Sequence, residues 1–146
     1  MTRTALIPLL LLASTPAAAG PAVPPGRWDV TTTVVDAVLP GVPGFFVRMM
    51  RGKSRAEHKR LSAGQGVEAL IAPDPKAKCR IDSQSIADGR YAQTLSCPQK
   101  KGEPLRISRV GSYDGQGIVG TAAVTGTSTK GPMRMTLSQR ARRIGD

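Results

Sequence analysis

Apolar and polar residues alternate along most of this chain, and the alternation predicts a succession of strands interrupted by Pro/Gly breaks. Trp28, Val30 and Val34 alternate with Asp29, Thr31 and Thr33, as in a strand with one buried face. Two prolines and two glycines in Leu39–Gly44 end that strand. Phe45-Phe46-Val47-Arg48-Met49-Met50-Arg51 is the most apolar piece beyond the N-terminus, and it suits a short amphipathic helix or a capping loop. Lys53–Arg60 predicts an edge strand with Ser54, Ala56, His58 and Arg60 on one face; basic residues there deter unwanted strand pairing. Over Ser62–Ala72, a Ser62 cap and the spacing of Val67, Leu70 and Ile71 predict a short helix, against which Gly64 and Gly66 count.

The stretch from Cys79 to Cys97 reads as a β-hairpin. Ala87-Asp88-Gly89 suits a three-residue loop with Gly89 in the left-handed conformation of a G1 bulge. Ile86 then faces Arg90, Ile81 faces Leu95, and Cys79 falls directly opposite Cys97. Cys79, Ile81, Tyr91, Leu95 and Cys97 share one face, whereas Arg80, Asp82, Gln84, Thr94 and Ser96 share the other. Further strands follow around Leu105–Arg109, Ile118–Val124 and Met133–Ser138, with a tight turn at Asp114-Gly115, a loop over Thr125–Gly131 and a basic end at Arg140–Asp146. The expected fold is mainly β: a single antiparallel meander sheet of six or seven strands with one or two short helices. Such a sheet can curve into a half-barrel, with Phe45, Phe46, Met49 and Met50 as an apolar cover over its concave face.

The N-terminus changes the setting of this domain. Arg3, the apolar run Ala5–Ala13 and Ala17-Ala18-Ala19 form an export signal over residues 1–19. A Pro-rich flexible leader over 20–25 and a single β-rich domain over 26–146 complete the expected organisation. The apolar run is too short for a permanent membrane span, and no later segment approaches that length. The expected location is the periplasm or the secreted fraction. In an exported chain, the only two cysteines favour a structural disulfide, Cys79–Cys97, over a metal or redox site.

Charge adds a candidate partner. With 21 Lys and Arg against 10 Asp and Glu, the net charge is +11. Outside the cytoplasm this directs attention to anionic lipid headgroups and envelope glycolipids rather than nucleic acid. The densest cations are Arg48, Arg51, Lys53, Arg55, Lys59 and Arg60, with Glu57 the only acid among them. They are the candidate anionic-surface site, with a purely solubilising surface as the alternative. The Phe45–Met50 segment either plugs the core or inserts into a membrane surface beside these cations.

No catalytic constellation is visible. The single histidine, His58, sits among cations with no second histidine or free cysteine, a poor setting for a metal and a weak base for acyl transfer. The acids are scattered singly, against the paired carboxylates of glycoside hydrolysis. Gly115, Gly117 and Gly120 lack the lysine and helix of a P-loop, so no cofactor is implied. One tryptophan, two tyrosines and two phenylalanines are too few for a base-stacking platform. The expectation is an exported, non-enzymatic protein that binds anionic envelope components through a basic surface. The alternatives are a carrier of a small apolar ligand, held between the sheet and Phe45-Phe46, and a hydrolase built on a cleft joining His58 to a carboxylate and a hydroxyl.

Several short motifs in order add a resemblance: Pro25-Gly26-Arg27-Trp28-Asp29-Val30, the two-cysteine hairpin, Gly131-Pro132-Met133-Arg134-Met135, and Arg142-Arg143-Ile144-Gly145-Asp146. In these the chain resembles an uncharacterised family of small exported bacterial proteins, family 3617 of the domains of unknown function. That resemblance implies export and the β architecture but no activity. Members often carry two further cysteines, one before the short helix and one at the C-terminus. Here Lys59-Arg60 stands before the helix and Asp146 is the last residue, so one disulfide is expected.

Overall fold

Period-2 alternation delivers seven strands in the computed structural model, which describes residues 22–146. The expected signal segment lies outside the described residues. The strands are β1 (Gly26–Val38), β2 (Ser54–Leu61), β3 (Arg80–Ala87), β4 (Arg90–Cys97), β5 (Leu105–Asp114), β6 (Gly117–Ser128) and β7 (Gly131–Gly145). Two short helices, α1 (Gly44–Met50) and α2 (Val67–Leu70), interrupt them. All neighbours are antiparallel, in the order β2-β1-β7-β6-β5-β4-β3. The sheet is therefore an open meander with β2 and β3 as its edges. Among the described residues, no helix is long and apolar enough to cross a membrane.

The chain must pass from one edge to the other between β2 and β3. Residues 62–79, a strap carrying α2, make that crossing over the inner face of the sheet. Val67, Leu70 and Ile71 of the strap join Trp28, Leu61, Tyr91, Ile118 and Ala141 of the sheet in one buried cluster. The expected helix over Ser62–Ala72 shrinks to four residues. Gly64 takes a positive φ of 87°, and the N-cap is Gly66 rather than Ser62, whose N–H instead donates to the Gln65 side chain.

Registry across the sheet sorts side chains onto two faces. One row of facing residues runs Ile86, Tyr91, Gly111, Gly120, Gln139, Thr32 and Arg55, and the next runs Gln84, Gln93, Arg109, Ala122, Leu137 and Val34. Both belong to the inner face. The Tyr91 ring lies over the two glycines: a Cβ on Gly111 or Gly120 would overlap it. Thr31, Thr33, Ser108, Thr121, Ser138, His58, Arg60 and Arg142 occupy the outer face.

The cysteine hairpin forms with a corrected turn. Asp88 and Gly89 have φ of 52° and 76°, the type I′ pattern, so the loop has two residues and Ala87 pairs with Arg90. A bulge between Ile81 and Ser83 then restores the expected pairing of Ile81 with Leu95. Asp82 at the bulge accepts from Arg80 (2.8 Å) and Ser96 (2.5 Å), and those hydrogen bonds hold its carboxyl below the usual carboxylate range, Ser96 contributing most. The shift moves Gln84 to the inner face, where it accepts from Gln93 at 2.7 Å. Cys79 and Cys97 lie at disulfide distance, with Cα atoms 4.1 Å apart, and tie the end of the strap to β4.

The second half of the expected flexible leader is anchored. Val23 is buried, the Trp28 indole donates to the Pro24 carbonyl at 3.1 Å, and Arg143 Nε donates to the Pro25 carbonyl at 2.7 Å. At the other end, Arg140–Gly145 continues β7 against β1, and Arg27 Nε donates to the Asp146 carbonyl.

Trp28 is fully buried where leader, strap and β1 meet. Trp28→Ala should destabilise the fold by about 3–5 kcal/mol, read from the urea midpoint, with Trp28→Phe losing distinctly less. Equal midpoints for wild type and Trp28→Ala would show that the cluster is not the anchor described.

Candidate functional site

A groove of about 630 Å³ opens between the inner face and the strap. Val30, Val34, Leu105, Ile107 and Ile118 form much of its sheet wall, and Leu70 to Asp74 form the strap wall. The disulfide also borders it, since Cys79 and Cys97 both line the groove. Into this setting the strand period sends Arg55, Glu57 and Lys59 from β2 and Arg109 from β5, and Lys59 and Arg109 reach the strap.

Both cations hold the strap by its backbone. Lys59 Nζ donates to the Leu70 and Ala72 carbonyls at 3.2 and 2.8 Å. Arg109 Nη1 donates to the Ile71 carbonyl at 2.8 Å and to Gln93 Oε1 at 3.3 Å. Arg109 Nε is buried without an acceptor, as is the Tyr91 hydroxyl nearby. Burial lowers the pKa of Lys59; Arg109 adds to the lowering, while Glu57 and Asp74 act against it. Burial lowers Arg109 in the same direction, with Tyr91 and Glu57 opposing, but a guanidinium remains charged. The Tyr91 phenol is pushed up by burial and pulled back by Arg109. The ion pairs among the described residues are Arg51–Asp36, His58–Asp29, Arg80–Asp82 and Arg143–Asp146, so neither groove cation is neutralised at contact distance.

The six cations of the candidate anionic-surface site do not form one face. Arg48 lies on α1, and Arg51 is ion-paired with Asp36 at 2.7 Å. Lys53, Arg55 and Lys59 line the groove, whereas Arg60 points to the outer face with His58. The physical reason is the strand period itself: consecutive cations on β2 alternate between faces.

The expected apolar cover is also corrected. Phe45, Phe46 and Met49 are 50%, 48% and 56% exposed, α1 buries no residue, and none of Phe45, Phe46, Met49 or Met50 lines the groove. The strap takes that place because the route from edge to edge passes over the inner face. His58 lies outside the groove on the outer face, where its Nδ1 approaches Asp29 Oδ1 to 2.5 Å, so the cleft needed for a His58-based hydrolase is not assembled. Arg109 escaped the sequence reading. Its signal was a charged residue in phase with Leu105 and Ile107 on the apolar side of a strand.

The lowered Lys59 pKa has a consequence for stability. Between that value and the ordinary alkaline value of a lysine, the unfolded chain binds more protons than the folded one, so this group makes stability rise with pH. Tyr91, raised by burial, acts oppositely above the usual tyrosine value. Lys59→Met should therefore remove a rising component from the alkaline stability profile, measured by urea unfolding between neutral pH and about pH 11. Superimposable profile shapes for wild type and variant would contradict this environment for Lys59.

Over residues 23–146 the chain matches the family described as protein of unknown function (DUF3617), and it belongs to that family. No curated protein and no solved structure matches it.

Proposed function

We propose that this protein is an exported, non-enzymatic carrier that holds a small apolar molecule in the groove between the inner face and the strap. The observation that carries this reading is the groove itself. Its volume lies in the range of small-molecule sites, its walls are mainly aliphatic, and a few polar groups converge on it from defined strands. Placement outside the cytoplasm rests on the Arg3 and Ala5–Ala13 signal pattern and suits a Cys79–Cys97 disulfide.

Docking of the Arg48–Arg60 cations on anionic envelope components has less support. Arg51 is engaged with Asp36, Lys59 with strap carbonyls, and the remainder divide between α1, the groove and the outer face. Surface cations so distributed are screened within about 8 Å at physiological salt. Partly buried cations inside a groove are screened much less.

Nile red, a neutral apolar probe, should gain fluorescence on mixing with the protein in a saturable manner. Ile107→Glu, which places a carboxylate in the groove, should abolish the gain. Val119→Glu, a change at a 57% exposed position on the outer face, should preserve it. Equal responses of the two variants, or none from wild type, would overturn the groove as the binding site.

A further inference from the structure

Cations outnumber acids along the groove, which Lys53, Arg55, Lys59, Arg109 and Arg140 line against Glu57 and Asp74. Lys59 and Arg109 face the same cavity and repel one another, and neither has a carboxylate at contact distance. Burying an ion is costly unless it is paired, and backbone carbonyls offer dipoles rather than counter-charge. Arg109 also retains unused donors. Of its five N–H groups, only those on Nη1 have acceptors among the described residues, and Nε is buried without one. The free Nη2 donors of Arg109 and the third N–H of Lys59, set among Leu105, Ile107, Val34 and Leu70, are complementary to an acid head joined to an apolar body.

We infer that the ligand of the groove is a single-chain amphiphilic acid whose carboxylate is taken by the Arg109 guanidinium, with Lys59 as the second positive charge and the apolar chain along the Leu105–Ile107 wall. This rests on the groove being the binding site and adds the chemical class of what enters it. Three features favour a carboxylate with one chain. The free Arg109 Nη2 and the remaining Lys59 N–H can each donate to one oxygen of a carboxylate. The groove volume of about 630 Å³ suits one chain rather than the paired chains of a membrane lipid. The low-dielectric walls strengthen attraction to an anion and penalise a cationic head beside two existing positive charges.

The head also has a structural effect. The same two side chains hold Leu70, Ile71 and Ala72, so an anion between them neutralises their mutual repulsion while the strap remains pinned. Binding of an acid should therefore stabilise the folded protein more than binding of an equally apolar alcohol.

The test uses laurate, dodecanol and dodecyltrimethylammonium as probes at concentrations below micelle formation, with affinities from calorimetry on the full chain. Laurate should bind wild type about tenfold or more tighter than dodecanol, the factor expected of one charge-assisted hydrogen-bonded pair, and the ammonium should bind weakest. Arg109→Gln should bring laurate down to the dodecanol level, and Arg109→Lys, which keeps the charge with fewer donors to share between strap and ligand, should fall between. Should Arg109→Gln fail to fold, the carboxyl carbon of labelled laurate on wild type gives the reading by NMR. Bound, it should titrate below free laurate, and an unshifted or raised titration would overturn the inference. Equal affinity of wild type for laurate and dodecanol would overturn the acid head while leaving an apolar groove. No binding of any probe would overturn the groove reading itself.

Discussion

Everything on the inner face depends on how the backbone of the strap is satisfied while it crosses an apolar sheet. The two ends of the crossing are fixed by topology, since β2 and β3 are opposite edges of one open sheet. A segment with one four-residue α-helix and a three-residue 3-10 turn cannot satisfy all of its own carbonyls, and unpaired carbonyls in such a place cost as much as lost hydrogen bonds. Lys59 and Arg109 supply the donors. Charge-assisted bonds of this kind are worth roughly 1.5–3 kcal/mol each, enough to hold the strap but set against the desolvation of two cations. The compromise leaves a pinned strap and an under-neutralised interior.

The opposite end of β1 is tied by a second device. Arg143 holds the Pro25 carbonyl, Arg27 holds the Asp146 carbonyl, and Arg143 pairs with the Asp146 carboxylate. The Gly-Arg-Trp start and the Arg-Ile-Gly-Asp end, distant in sequence, are thus one clamp across the β1–β7 seam, next to the register shift at Arg27/Trp28. That clamp draws Val23 and Pro24 over the Trp28 side of the core and fixes the strand that carries Val30, Thr32 and Val34 into the groove.

Strand existence and an antiparallel meander were legible from alternation, and the Asp114-Gly115 turn and the Cys79–Cys97 pairing from turn chemistry and hairpin register; the seam of β1 against β7 was not. What alternation could not supply was phase. Asp88-Gly89 fits either a G1 loop or a type I′ turn, and the choice moves Gln84 from one face to the other; only the Gln84–Gln93 contact and the bulge near Asp82 decide it. A second bulge, between Val34 and Asp36, leaves Val35 outward and returns Ala37 to the inner face, which a strict period of two would not do. The strap was misread as an eleven-residue helix because Val67, Leu70 and Ile71 have helical spacing. That spacing is also what a single turn needs to bury three side chains, and Gly64 and Gly66 limit it to one turn.

The candidate site was the least legible part, for a reason rooted in the geometry of strands. Counting cations along the chain gives Arg48 to Arg60 as one patch, but a strand turns a linear run into two opposed sets. The set that reaches the outer face meets water and salt, where each charge is worth little. The set that reaches the inner face is joined by Arg109, from a strand far away in sequence, and meets aliphatic walls in which a charge acts over the whole cavity. Net charge therefore does not distinguish the outer cations from the inward set of Lys53, Arg55, Lys59 and Arg109 that lines the groove. The same period of two that makes the sheet legible is what hides its site.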